Sequence, residues 1–163
     1  MRMSLFFVLA MTLALDPPPA FADRIVGNDG GWDILVSDEY QGCVARAGYR
    51  DGTVVTFGVD GVSRERFINF SNRSWNYPTN QNYEVDFDMA GMGRFSGYFH
   101  TVLRNNMTTF ENGELNDKFI STFQAAAGMS MLVEGKRLTN FSLLGTSAAF
   151  NAVFQCENAL QRE

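Results

Sequence analysis

The residues able to do chemistry are few, and their types exclude most reaction classes. The 163-residue chain has one histidine, His100, and two cysteines, Cys43 and Cys156. A nitrogen and sulfur zinc site takes about four such ligands, so the inventory excludes that kind of metal site; no metal and no cofactor is expected. Gly128-Met129-Ser130 and Gly145-Thr146-Ser147 both lack the second glycine of a Gly-x-Ser-x-Gly elbow. A serine-histidine-acid site would have to pass through His100, which shares a strand side with Ser96 and Tyr98. Neither lysine, Lys118 or Lys136, stands three places after a serine. Gly91-Met92-Gly93 lacks the further glycine and the following helix of a nucleotide loop. No catalytic residue is assigned.

One constellation remains. Glu84, Asp86 and Asp88 alternate with Tyr83, Val85, Phe87 and Met89 at period two. Successive carboxylates are then roughly 6.6 Å apart on one strand face. That spacing would serve an inverting glycosidase or the oxygen ligands of a calcium ion. It is also what a half-buried strand shows to water, and a row of like charge can steer a basic partner. Just upstream, Trp75-Asn76-Tyr77-Pro78 concentrates two aromatic rings. Such rings anchor a partner or stack on a sugar when exposed, and plug a core when buried. Trp75, Tyr77, Glu84, Asp86 and Asp88 form the candidate partner-binding set. With 18 acidic against 13 basic residues, a net charge of −5, the chain lacks the electrostatic footprint of a nucleic-acid binder.

The elements that must position these residues begin after an address. Residues 1–22 read as a secretory signal peptide: Arg2, an uncharged run over residues 5–15, Pro17-Pro18-Pro19, then Ala20-Phe21-Ala22 before cleavage at Asp23. The run is too short to span a bilayer, which takes about 20 apolar residues. No membrane span is expected after cleavage, and residues 23–163 read as one globular domain that is periplasmic or secreted. In an exported protein two cysteines usually pair. A Cys43–Cys156 disulfide is therefore expected, the alternative being two buried free thiols.

Asp51-Gly52 between residues 43–49 and 53–59 is a hairpin signal. Asp60-Gly61 then leads to residues 64–70, whose mixed alternation suits a strand near an edge, and residues 32–36 precede the group as another strand. Residues 83–89 and 95–102 flank the turn at Ala90-Gly91-Met92-Gly93. The period then changes. Leu115, Phe119, Phe123 and Ala126 recur at helical spacing, with Asn112 as N-cap and Gly128 as the stop. Residues 129–133 and 138–144 read as strands joined across Gly135-Lys136. Ala149, Phe150, Val153, Phe154 and Leu160 mark a closing helix opened by Thr146 or Ser147. The fold class is α+β: an antiparallel sheet, sandwich- or barrel-like, with two amphipathic helices in the C-terminal half.

Trp75, then Tyr83 with Val85 and Asp88, the strand Phe141-Ser142-Leu143, and Gly145-Thr146-Ser147-Ala148-Ala149 leading to Cys156 resemble a group of small exported proteobacterial proteins with no assigned activity. The resemblance extends back to Cys43 and Tyr49 and implies a two-cysteine framework and an exported setting. The reading is a non-enzymatic exported binding or accessory domain with a macromolecular partner. Its alternatives are a small carboxylate-dependent hydrolase of cell-wall or extracellular glycans, and a secreted host-directed effector.

Overall fold

The structure is a computed structural model that describes residues 23–112 and 116–162. The strands are β1 Arg24–Asp29, β2 Trp32–Ser37, β3 Gly42–Gly48, β4 Val54–Val59, β5 Arg66–Asn72, β6 Asn82–Met89, β7 Gly93–Arg104 and β8 Met107–Asn112. Helix α1 Asp117–Ala125, strands β9 Gly128–Val133 and β10 Lys136–Ser142, and helix α2 Thr146–Leu160 follow. All ten strands of the described residues join one antiparallel sheet in the order β1-β2-β3-β4-β5-β8-β7-β6-β9-β10. The α+β expectation holds. The barrel expectation does not: β1 and β10 end the sheet without pairing to each other, so it stays open.

Turn chemistry sets the registers. Gly30-Gly31, Asn105-Asn106 and Glu134-Gly135 all have positive φ and close two-residue hairpins of the kind whose twist matches the strands. The last turn thus lies one residue earlier than Gly135-Lys136, because Lys136 already pairs with Val133. At the β3–β4 turn Gly52 takes φ 84° after Asp51, as the hairpin signal requires. The Asp51 carboxylate accepts from the Thr53 backbone N–H at 2.9 Å and from the Thr139 hydroxyl on β10. Tyr49 donates its hydroxyl to the Ser142 carbonyl at 2.8 Å, so the β3–β4 loop is fastened to the last strand.

The core lies between the inner sheet face and the helices. Phe57 stacks on Phe150 of α2 at 4.0 Å between centroids, and Phe123 of α1 meets both rings edge-on. Phe70, Phe87, Phe99 and Phe110 are also fully buried. Each such ring contributes roughly 1.5–3 kcal/mol by leaving water. Helix α2 packs on β1, β2 and β3 and touches α1. The Cys43–Cys156 disulfide forms across that contact, with Cα atoms 6.0 Å apart. Beside it Glu157 is buried, accepting from the Cys43 backbone N–H and pairing with Arg64 at 3.4 Å.

Several expectations are corrected. β5 is not near an edge: it runs between β4 and β8 with six of its seven residues buried. Asn112 is not a helix cap but pairs with Ile68 in the sheet. The cap of α1 is Asn116, whose side chain accepts from the Phe119 N–H at 2.8 Å. Leu115, expected in that helix, lies outside the described residues, as does the proposed signal peptide. Helix α2 begins at Thr146, but its N-cap is Gly145 in the left-handed conformation with no side-chain cap.

Candidate functional site

The acidic row is built as the alternation demands. Val85, Phe87 and Met89 enter the core from β6, while Glu84 and Asp88 are exposed on the outer face. Antiparallel pairing with β7 places Tyr98 opposite Glu84, Ser96 opposite Asp86, Arg94 opposite Asp88 and His100 opposite Asn82. Opposed residues share a face and stand in side-chain contact range. The row is therefore not a bare anionic stripe. The Ser96 hydroxyl donates to Asp86, and the Arg94 guanidinium lies 3.1 Å from the other Asp86 oxygen. Asp86 retains only 18% side-chain exposure. Glu84 and Asp88 remain outside that pair.

All three carboxylates follow one line along one strand, whereas acid and base in an inverting glycosidase face each other across the sugar. Asp88 borders a recess of about 510 Å³, lined also by Ser130, Asn140 and Ser142. The Ser130 hydroxyl there donates to Asn140 at 2.8 Å.

The aromatic candidates divide. Trp75 is 8% exposed and meets Phe110 edge-on at 5.6 Å, so it serves the core and offers a partner little area. Tyr77 is half-buried, with Phe110 and Tyr83 each 5.2 Å away. Burial raises its hydroxyl pKa, with Glu134 and Tyr83 adding to the effect. Neither ring joins the acidic row as a free surface. The residue that does is Tyr98, 72% exposed beside Glu84. The signal for it was its strand phase, since it alternates with the buried Phe99 and the half-buried Phe95. The next position on that face is His100, its Nδ1 3.1 Å from the Asn82 side-chain oxygen and its backbone opposite Glu111.

Farther along the outer face Tyr40 folds back over the sheet and stacks on Phe67 at 4.2 Å. Its hydroxyl accepts from Asn69 at 2.8 Å. Burial, with Glu39 adding, pushes that hydroxyl up to about 12, so it stays protonated at neutral pH and is no base. Arg104 is clamped between Glu39 and Glu111 beside it. The recess at this cluster holds only about 150 Å³. Among the described residues no three of histidine, cysteine, aspartate and glutamate converge to hold a metal ion, and no helix is long and apolar enough to cross a membrane.

No protein-family model and no curated protein matches the chain. Among solved structures it is similar to the crystal structure of invasion associated protein B from Bartonella henselae, with a TM-score of 0.62 and 12% sequence identity. The match covers 84% of this chain and 98% of that one. At that identity the likeness is one of fold.

Proposed function

We propose that the protein is exported to the periplasm or beyond the cell and acts there as a disulfide-stapled, non-enzymatic binding domain. Its partner-binding surface is the outer face of β6 and β7. The observation that carries this reading is Tyr98, a large ring 72% exposed on a regular strand, flanked across the ladder by Glu84. Tyrosine in that setting gives contact area and a hydroxyl at little conformational cost. Glu84 and Asp88 supply the negative charge that favours a basic macromolecule, since Arg94 offsets Asp86. Export is supported by the signal-like pattern of residues 1–22 and by the Cys43–Cys156 bond, which oxidising compartments favour. The resemblance to small exported proteobacterial proteins points the same way.

A host-directed role is the form of this function that the fold neighbour's name suggests, because that protein is described as invasion-associated. The test is covalent capture in the native envelope, with a photoreactive residue at position 98 or, as a control, at position 136 on β10. A partner captured at 98 should lose on the order of tenfold or more in affinity when Tyr98 becomes Ser, a hot-spot-sized effect. Equal capture from both positions, or an affinity indifferent to Tyr98→Ser, overturns the assignment of this face.

A further inference from the structure

The sheet ends on two unlike edges. On β10 the residues after the hairpin turn are Lys136 and Arg137, both exposed, and charges of this kind discourage pairing with another strand. On β1 the two charges, Arg24 and Asp29, are opposite in sign and stand at the two ends, with Ile25 and Val26 between them. Among the described residues β1 has one neighbour, β2, and all six of its residues are exposed, Ile25 at 64% and Val26 at 45%. Both edge strands carry a bulge, so the bulge does not distinguish them. Charge and apolar exposure do.

The bulge in β1 has a geometric effect on the strand's own sequence. Residues five apart in a regular strand lie on opposite faces. In β1 the register shift between Ile25 and Gly27 removes that mismatch. Arg24 pairs with Val36 and Asp29 with Trp32, and both Val36 and Trp32 pack into the core. Arg24 and Asp29 therefore share the inner side. Ile25 and Asn28, opposite Leu35 and Asp33, share the outer one. Laid antiparallel on itself, Arg24-Ile25-Val26-Gly27-Asn28-Asp29 sets Arg24 against Asp29 at both ends and Ile25 against Asn28 inside. Neither Arg24 nor Asp29 joins an ion pair among the described residues.

Beside this edge runs a groove of about 450 Å³ between β1 and α2, with Val26, Ile34, Val36, Ala159 and Leu160 in its lining. We infer that β1 pairs with β1 of a second copy of this chain, forming a two-fold dimer held in register by reciprocal Arg24–Asp29 pairs. The contact is isologous, so it closes at two copies rather than growing into a fibre. A six-residue seam is short, and the dimer belongs to the weak, exchanging class.

Sedimentation equilibrium on the protein, expressed with residues 1–22 in place and purified from cells, tests this. Wild type should show a concentration-dependent monomer–dimer equilibrium. Arg24→Glu and Asp29→Arg each place like charges opposite one another twice, and each alone should weaken dimerisation on the order of tenfold. An equimolar mixture of the two restores opposite charges at both ends and should recover the wild-type constant. Recovery on mixing also shows that the single variants are folded. Lys136→Glu on the other edge should leave dimerisation unchanged. A wild type that stays monomeric at every concentration, single variants that dimerise like wild type, a mixture no better than its parts, or a loss caused by Lys136→Glu would each overturn the inference.

Discussion

Glu157 shows how a charge can be fixed inside this molecule without serving chemistry. It is 7% exposed, accepts from the Cys43 backbone N–H, and meets Arg64 at its rim. Glu157→Ala should cost about 1–3 kcal/mol, because a buried N–H loses its acceptor, and Glu157→Gln should recover much of that through its amide oxygen. Thermal denaturation of the three proteins checks the order. Asp51 gives a pH dependence. Burial alone would raise its carboxyl, but hydrogen bonds from Thr139 and Thr53 outweigh burial and hold it below 3.8. A carboxyl lowered by folding contributes its stability above its unfolded value, and loses it as pH falls through the folded one. Acid unfolding of Asp51→Asn should therefore be less steep than wild type below about pH 4. The tyrosines act at the other end. Burial pushes Tyr40 and Tyr49 up to about 12, and Glu39 adds to the shift at Tyr40. Raised folded values mean a contribution complete below pH 10 and lost as pH rises through 12. In a native absorbance titration these two, and Tyr77 with them, should ionise later than the remaining tyrosines, and in denaturant the lag should vanish.

Among the elements, the β1–β2 turn and the start of α2 depend on each other. A Cβ on Gly145 would sit 2.0 Å from the Gly30 carbonyl oxygen, and one on Gly30 would sit 2.6 Å from the Gly145 Cα. Both residues also have positive φ. Gly145→Ala should then cost more than the roughly 1–2 kcal/mol of a left-handed residue alone, since the two backbones must also part. Denaturant unfolding would measure this, and a cost within a few tenths of zero would contradict the close approach. Strands whose two faces differ were readable in the sequence. β6 alternates strictly, and Asp51-Gly52 marks the β3–β4 hairpin. β1 and β8 went unseen: a bulge breaks the period of the first, and the second holds one phenylalanine among Thr108, Thr109 and Glu111. The mixed alternation of residues 64–70 suits an edge, yet β5 pairs with β8, Phe70 meeting Phe110 far downstream, and about such a partner local pattern is silent. At the site, alternation placed Glu84, Asp86 and Asp88 together. That Arg94 reaches Asp86 is a diagonal contact, and that Trp75 is buried against Phe110 is tertiary. Neither is encoded in spacing.

For the whole molecule, the staple, the address and the sheet form one account. The Cys43–Cys156 bond closes a loop of 113 residues between β3 and the last helix. In the chain-entropy description such a loop is worth on the order of 4–5 kcal/mol. Reduction should lower the melting temperature markedly while leaving the sheet's composition of strands intact below it. The bond therefore matters most where thiols are oxidised, which is where the signal-like residues 1–22 would send the chain. The intact mass of the native protein, taken from its own cells after denaturing alkylation of free thiols, tests this account most directly. A chain in the envelope or medium that begins at Asp23 and carries no alkyl group is the expected result. A full-length chain in the cytoplasm, alkylated at both Cys43 and Cys156, would contradict it.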